Sequence, residues 1–76
     1  LLKTFYFDVK GAVSDLARFE VRFTSDDEAI QHCRDLAARL RQRRFNNEAG
    51  LLISVLNETG REIHWELVNP PDKAAQ

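Results

Sequence analysis

With a single cysteine, the chain closes no internal disulfide, and a structural zinc site built from several thiolates is excluded. A lone thiol is compatible with a reducing compartment. Two prolines and three glycines are too few for a low-complexity or collagen-like segment. Long apolar runs are missing too. None approaches the roughly 18 residues that span a bilayer, and no charged-then-apolar leader opens the chain, so cytoplasmic residence without membrane association is the expectation. Nor is there an excess of one charge: 11 basic against 12 acidic side chains leave a net charge of -1. A dedicated nucleic-acid-binding domain is usually strongly basic. What is present is 76 residues, 43% hydrophobic and 30% charged, the composition of one globular domain near the lower size limit for unaided folding.

The segment "KTFYFDV" is short, aromatic and β-branched, and it runs into the turn-forming "KGAVSD"; Lys3–Val9 is predicted as a strand. "RFEVRF" alternates with period two, which predicts a half-buried strand with Phe19, Val21 and Phe23 inward and Glu20 and Arg22 outward. The period then changes. Ser25 and Glu28 have the capping-box spacing, the hydroxyl for an orphan amide of the first turn and the carboxylate for the cap's own amide. Asp26 and Asp27 place negative charge at the positive end of the helix dipole. From there Ala29, Ile30, Cys33, Leu36, Ala37 and Leu40 form one apolar stripe, predicting a helix that ends around Arg44, before "NNEAG". "LLISVLNETGREIHWELV" predicts a hairpin with its turn at Asn57–Gly60, Ile63, Trp65 and Leu67 facing inward and Glu62, His64 and Glu66 outward. Two adjacent prolines stop the ladder, and 70–76 is expected to be a disordered tail.

This order predicts an α+β fold: a two-layer β-β-α-β-β domain over residues 1–69, its four-stranded, mainly antiparallel sheet carrying one helix on one face. The expected core comprises Phe5, Phe7, Val9, Phe19, Val21 and Phe23 from the first pair, and Ile53, Val55, Ile63, Trp65 and Leu67 from the second.

The strand "FYFDVKG", an acidic stretch, an Ala- and Arg-rich helix and the closing "ISVLNETGREI" together resemble a family of small uncharacterised bacterial proteins. Such domains of unknown function open with a Y/F-F-F-D/H-V strand and close with a hairpin of the type I-x-V-x-D-E-x-G-R. The likeness spans most of residues 4–67. The chain departs from the pattern at Arg18, where a glycine is common, and at Phe23 and Thr24, where a proline is common. The resemblance implies an architecture and no activity.

Chemistry-bearing residues are sparse. No glycine-rich phosphate loop, serine elbow or paired-carboxylate arrangement is present. Cys33 sits in the apolar stripe, where a cysteine behaves as a small hydrophobe rather than a nucleophile. Glu62, His64 and Glu66 alternate along one strand, too far apart to converge easily on one tetrahedral metal. The sequence therefore predicts no enzyme, no metal and no cofactor. At about 100° per residue, Arg34 and Arg41 fall on one flank of the helix stripe and Arg39 and Arg43 on the other, with Arg44 nearer the stripe. A phosphate-tracking surface gathers its cations on one side. The sheet face away from the helix is a better candidate, because Tyr6, Leu52 and Leu56 point there, with Leu2 at its margin. An open face should be polar, and a contiguous apolar patch marks an interaction site. The expected function is a small non-catalytic protein-interaction module that self-associates as a homodimer or docks another protein through Tyr6, Leu52 and Leu56. The alternative is weak binding of nucleic acid or an acidic partner by Arg39, Arg41, Arg43 and Arg44.

Overall fold

The aromatic, β-branched "KTFYFDVK" and "DLARFEVRF", with its alternating "RFEVRF", become an antiparallel pair, β1 (Lys3–Lys10) and β2 (Asp15–Phe23). They are followed by α1 (Asp26–Gln42), β3 (Leu52–Leu56) and β4 (Glu62–Leu67). The computed structural model describes residues 1–12, 14–43 and 50–69. The expected tail at 70–76, and Arg44 with it, lie outside the described residues. The strands form one sheet in the order β2-β1-β3-β4, every neighbouring pair antiparallel. Helix α1 carries the chain from the β2 edge back to β3, across β1.

The two central strands supply most of the core. Phe5, Phe7 and Val9 of β1, with Leu51, Ile53 and Val55 at and along β3, are buried on the helix side. The helix meets them with Ala29, Cys33 and Ala37, all fully buried and four residues apart. Three small side chains in a row let the helix approach the sheet closely, while the strands provide the bulk. Phe23 completes an aromatic group, its ring centroid 6.2 Å from Phe5, 6.3 Å from Phe7 and 5.2 Å from His32. Offset and edge-on aromatic contacts of this kind add about 0.5–1.5 kcal/mol per pair beyond area burial.

The helix start follows the sequence expectation in its cap and differs in one bond. Ser25 accepts from the Glu28 amide at 3.3 Å. The Glu28 carboxylate, expected at the cap amide, accepts chiefly from the Thr24 hydroxyl and, at 2.7 Å, the Thr24 amide, with the Ser25 amide as a lesser donor. Those bonds, the hydroxyl's first, hold the Glu28 carboxyl below its ordinary pKa. The hairpin turn is held by Asn57, whose side-chain oxygen accepts from the amides of Thr59 and Arg61, both at 3.0 Å. Gly60 takes φ 86°, the left-handed region where a glycine is unstrained.

Three core placements expected from alternation are overturned. In β4 the register shifts by one residue between Val55 and Leu56, so that Leu56 opposes Glu62 while Val55 opposes His64. Ile63 is the extra residue, and such a bulge inverts the alternation beyond it. Ile63 itself packs against the core as expected. Past the bulge, however, Trp65 and Leu67 lie opposite Ser54 and Leu52 on the open face, while His64 and Glu66 oppose Val55 and Ile53 on the helix side. Val68, next in that alternation, is buried. The third correction is Phe19. It faces the helix side opposite Phe7 as expected, yet it is 48% exposed, because β2 is an edge strand that the helix crosses only in part.

Ile53→Ala should lower stability by about 2–5 kcal/mol, a large share of what a small domain has. Leu52→Ala, a neighbour turned to the other face, should cost clearly less in the same urea titration. Equal losses would contradict the assigned facing.

Candidate functional site

The open sheet face is assembled from alternate residues of all four strands. From β2 come Arg18, Glu20 and Arg22; from β1, Tyr6 and Asp8; from β3, Leu52, Ser54 and Leu56; from β4, Glu62, Trp65 and Leu67. Of Tyr6, Leu52 and Leu56, the three residues singled out from sequence, two are neighbours: Tyr6 is directly opposite Leu56, whereas Leu52 shares the face from the other end of β3, opposite Lys10, with Ser54 between. Each is half-buried by its neighbours rather than covered by another layer. Leu2 is exposed just before β1.

Trp65 and Leu67 join this face through the bulge, and sequence alternation missed them. Trp65 is 54% exposed, the largest apolar side chain at the surface. One signal was available: Leu67 and Val68 are adjacent apolar residues, and a strand buried on one side has room for only one of them. Val68 inward, with Leu67 outward, requires the inverted phase.

Polar groups divide the apolar ones. Asp8 and Ser54 are opposite each other on the central strands, and both are buried. Burying a carboxylate requires a partner, and Arg18 provides a two-pronged one, Nε to Oδ1 at 2.6 Å and Nη2 to Oδ2 at 2.8 Å. The same guanidinium lies 5.4 Å from the centroid of the Tyr6 ring, a cation–π distance. Ser54 donates its hydroxyl to the Glu62 carboxylate. The hydrogen bond from Arg18 holds the Asp8 carboxyl below its usual range, against the opposing effect of burial.

The described arginines of the alternative reading lie on different flanks of the helix. Arg41 donates to the main-chain carbonyl of Leu67 at 2.8 Å, fixing the end of the helix to β4. Arg39 and Arg43 line the opposite flank of the helix with Leu36 and Leu40, and Arg44 is outside the described residues. His64 and Glu66 are on the helix side, His64 Nε2 being 2.8 Å from Glu66 Oε1. Cys33 is fully buried, and burial, reinforced by the Glu66 carboxylate, pushes its thiol up to about 12. Among the described residues no group of three or more His, Cys, Asp or Glu side chains is placed to hold a metal ion, and no helix is long and apolar enough to cross a membrane.

Compared with known protein families, curated proteins and solved structures, the chain matches none. Its own surface must carry the functional reading.

Two measurements follow from this geometry. Because the Asp8 carboxyl is depressed in the folded state, its pairing contributes fully above about pH 3.9, the unfolded value. That contribution is lost as pH falls through the lower folded value. Thermal melts from pH 5 to pH 2 should therefore fall less steeply for Asp8→Asn than for the parent chain; the difference stays modest, because the Arg18 side chain is 58% exposed and screened. Separately, Cys33 should resist a thiol reagent under native conditions and react promptly in denaturant. Rapid native labelling would contradict its burial.

Proposed function

We propose that this chain is a small non-catalytic protein-interaction module whose working surface is the open sheet face, and that the occupant this face fits first is a second copy of the same chain. The observation that supports the reading is that the exposed Trp65 and the half-buried Tyr6, Leu52, Leu56 and Leu67 share one side of a sheet whose other side is roofed by the helix. A sheet face left to water is expected to be polar. Aromatic and aliphatic residues sharing a face are the composition of an interface rather than of a solvated surface.

The charges around this group are self-complementary in kind. Arg18 and Arg22 flank Glu20 on the β2 side, leaving it net basic, and Glu62 begins the β4 side. A two-fold axis lying between two stacked faces and parallel to the strands would set the β2 side of one copy over the β4 side of the other, bringing Arg18 and Arg22 toward Glu62. Four strands and about six residues of length give a face of roughly 400 Å², against about 800 Å² per partner in a stable complex. The association is accordingly weak and reversible, a contact that forms at high local concentration and releases on dilution.

The chain's single tryptophan reports on this directly. Its emission should shift to the blue as protein concentration rises through the high-micromolar range, and Leu56→Glu should abolish the shift while leaving the fold intact. An emission maximum unchanged over that range, with and without Leu56→Glu, would remove self-association through this face.

A further inference from the structure

The β2 edge carries a second feature, independent of the open face. Its backbone orientation follows from the ladders. The Val68 amide donates to the Leu51 carbonyl at 2.8 Å, and bonded pairs alternate along an antiparallel ladder, so Ile53 with Glu66 and Val55 with His64 bond across β3 and β4. Ser54 then bonds on its other side, to Asp8 of β1. Phe5 and Phe7 of β1 turn the opposite way, to Val21 and Phe19 of β2. The amides and carbonyls of Arg18, Glu20 and Arg22 are therefore left pointing away from the sheet, along the open edge.

The two edges of the sheet are unequal. In β4 the bulge at Ile63 breaks the edge, and Leu67, opposite Leu52 and hence outward-facing, has its carbonyl occupied by Arg41. Both are ways of blocking edge pairing. β2 is nine residues long, contains no proline, and pairs with β1 without interruption from Ala17 to Phe23. At its centre is Phe19, 48% exposed.

We infer that β2 pairs antiparallel with β2 of a second copy, in the register that sets Phe19 opposite Phe19, to make one continuous eight-stranded sheet. Charge and geometry select that register. Hydrogen bonding needs the outward-facing residues to pair with each other, which leaves four registers near the centre, and of these Arg18 opposite Arg18 sets two cations together. Glu20 opposite Glu20 sets Arg18 against Arg22 as well, like against like at every bonded position, and is disfavoured. Val21 opposite Val21 pairs Glu20 with Arg22 but leaves residues 15–18 outside the ladder. Phe19 opposite Phe19 centres the whole strand, and sets Arg18 opposite Glu20 twice. Each Arg18 then lies between Asp8 of its own β1 and Glu20 of the other copy, while the two Phe19 rings meet in a non-hydrogen-bonded pair, where side chains are closest. Edge pairing also places two open faces side by side on one surface, doubling the area available to a partner.

The test is site-directed crosslinking with the parent chain as control, since its only thiol is buried. Non-hydrogen-bonded antiparallel partners have Cα atoms about 4.5 Å apart, within disulfide range. Phe19→Cys, treated with diamide, should give a covalent dimer on a non-reducing gel, whereas Val21→Cys should not. Hydrogen exchange should in parallel slow at the Arg18, Glu20 and Arg22 amides as concentration rises, and Glu20→Arg should raise the dissociation constant about tenfold by opposing two pairs of like charges. Crosslinking at Val21→Cys instead of Phe19→Cys, or edge amides that exchange equally fast at all concentrations, would overturn the pairing. Trp65 lies on the opposite edge strand, so a blue shift without edge protection sinks the pairing alone, and edge protection without a blue shift sinks the face contact alone.

Discussion

The close seating of one helix on two central strands is the contact on which everything else rests. Ala29, Cys33 and Ala37 offer a ridge with almost no side-chain volume, and Phe5, Phe7, Leu51, Ile53 and Val55 rise from the sheet to fill the space. A chain this short buries a modest fraction of its surface, so it has one core and no reserve. The assignment of every strand residue to roof or open side descends from that seating, through the pairing of β1 with both β2 and β3.

Its consequence is a molecule with two different sides. The roofed side is closed by packing and by the Arg41 bond to the Leu67 carbonyl. The other side has no second layer, and it gathers Tyr6, Leu52, Leu56, Trp65 and Leu67 around a buried polar centre. In many antiparallel sheets that side would be uniformly polar. Here the mixture of aromatic, aliphatic and ion-paired residues resembles an interface before its partner arrives. In the proposed pairing, the β2 edge adds a directional contact to a face that by itself is non-directional.

Most of this was legible in the chain, because burial on one side imposes a period and the period survives wherever strands are regular. Alternation placed Phe5, Phe7, Val9, Ile53 and Val55 correctly, and with them the outward Tyr6, Leu52 and Leu56. The capping residue Ser25 and the apolar stripe of α1 were readable for the same reason: each reflects a local geometric need. Two things were not legible. A bulge is a single unpaired residue, and nothing in Glu62–Leu67 alone marks Ile63 as that residue; its effect was to exchange Trp65 and Leu67 with His64 and Glu66. The exposure of Phe19 depends on where a helix crosses a sheet, and strand periodicity carries no information about that.

The paired Asp8 and Ser54 at the middle of the open side have a bearing on which molecules the face will tolerate. Their outward lone pairs and protons stay satisfied only while Arg18 and Glu62 remain in place. A purely oily visitor that swept those two charged arms aside would strand a carboxylate and a hydroxyl in a dry contact. If the proposed face takes a partner, admission is conditional: grease alone is turned away, and a visitor must bring matching polar chemistry to the centre of its own footprint.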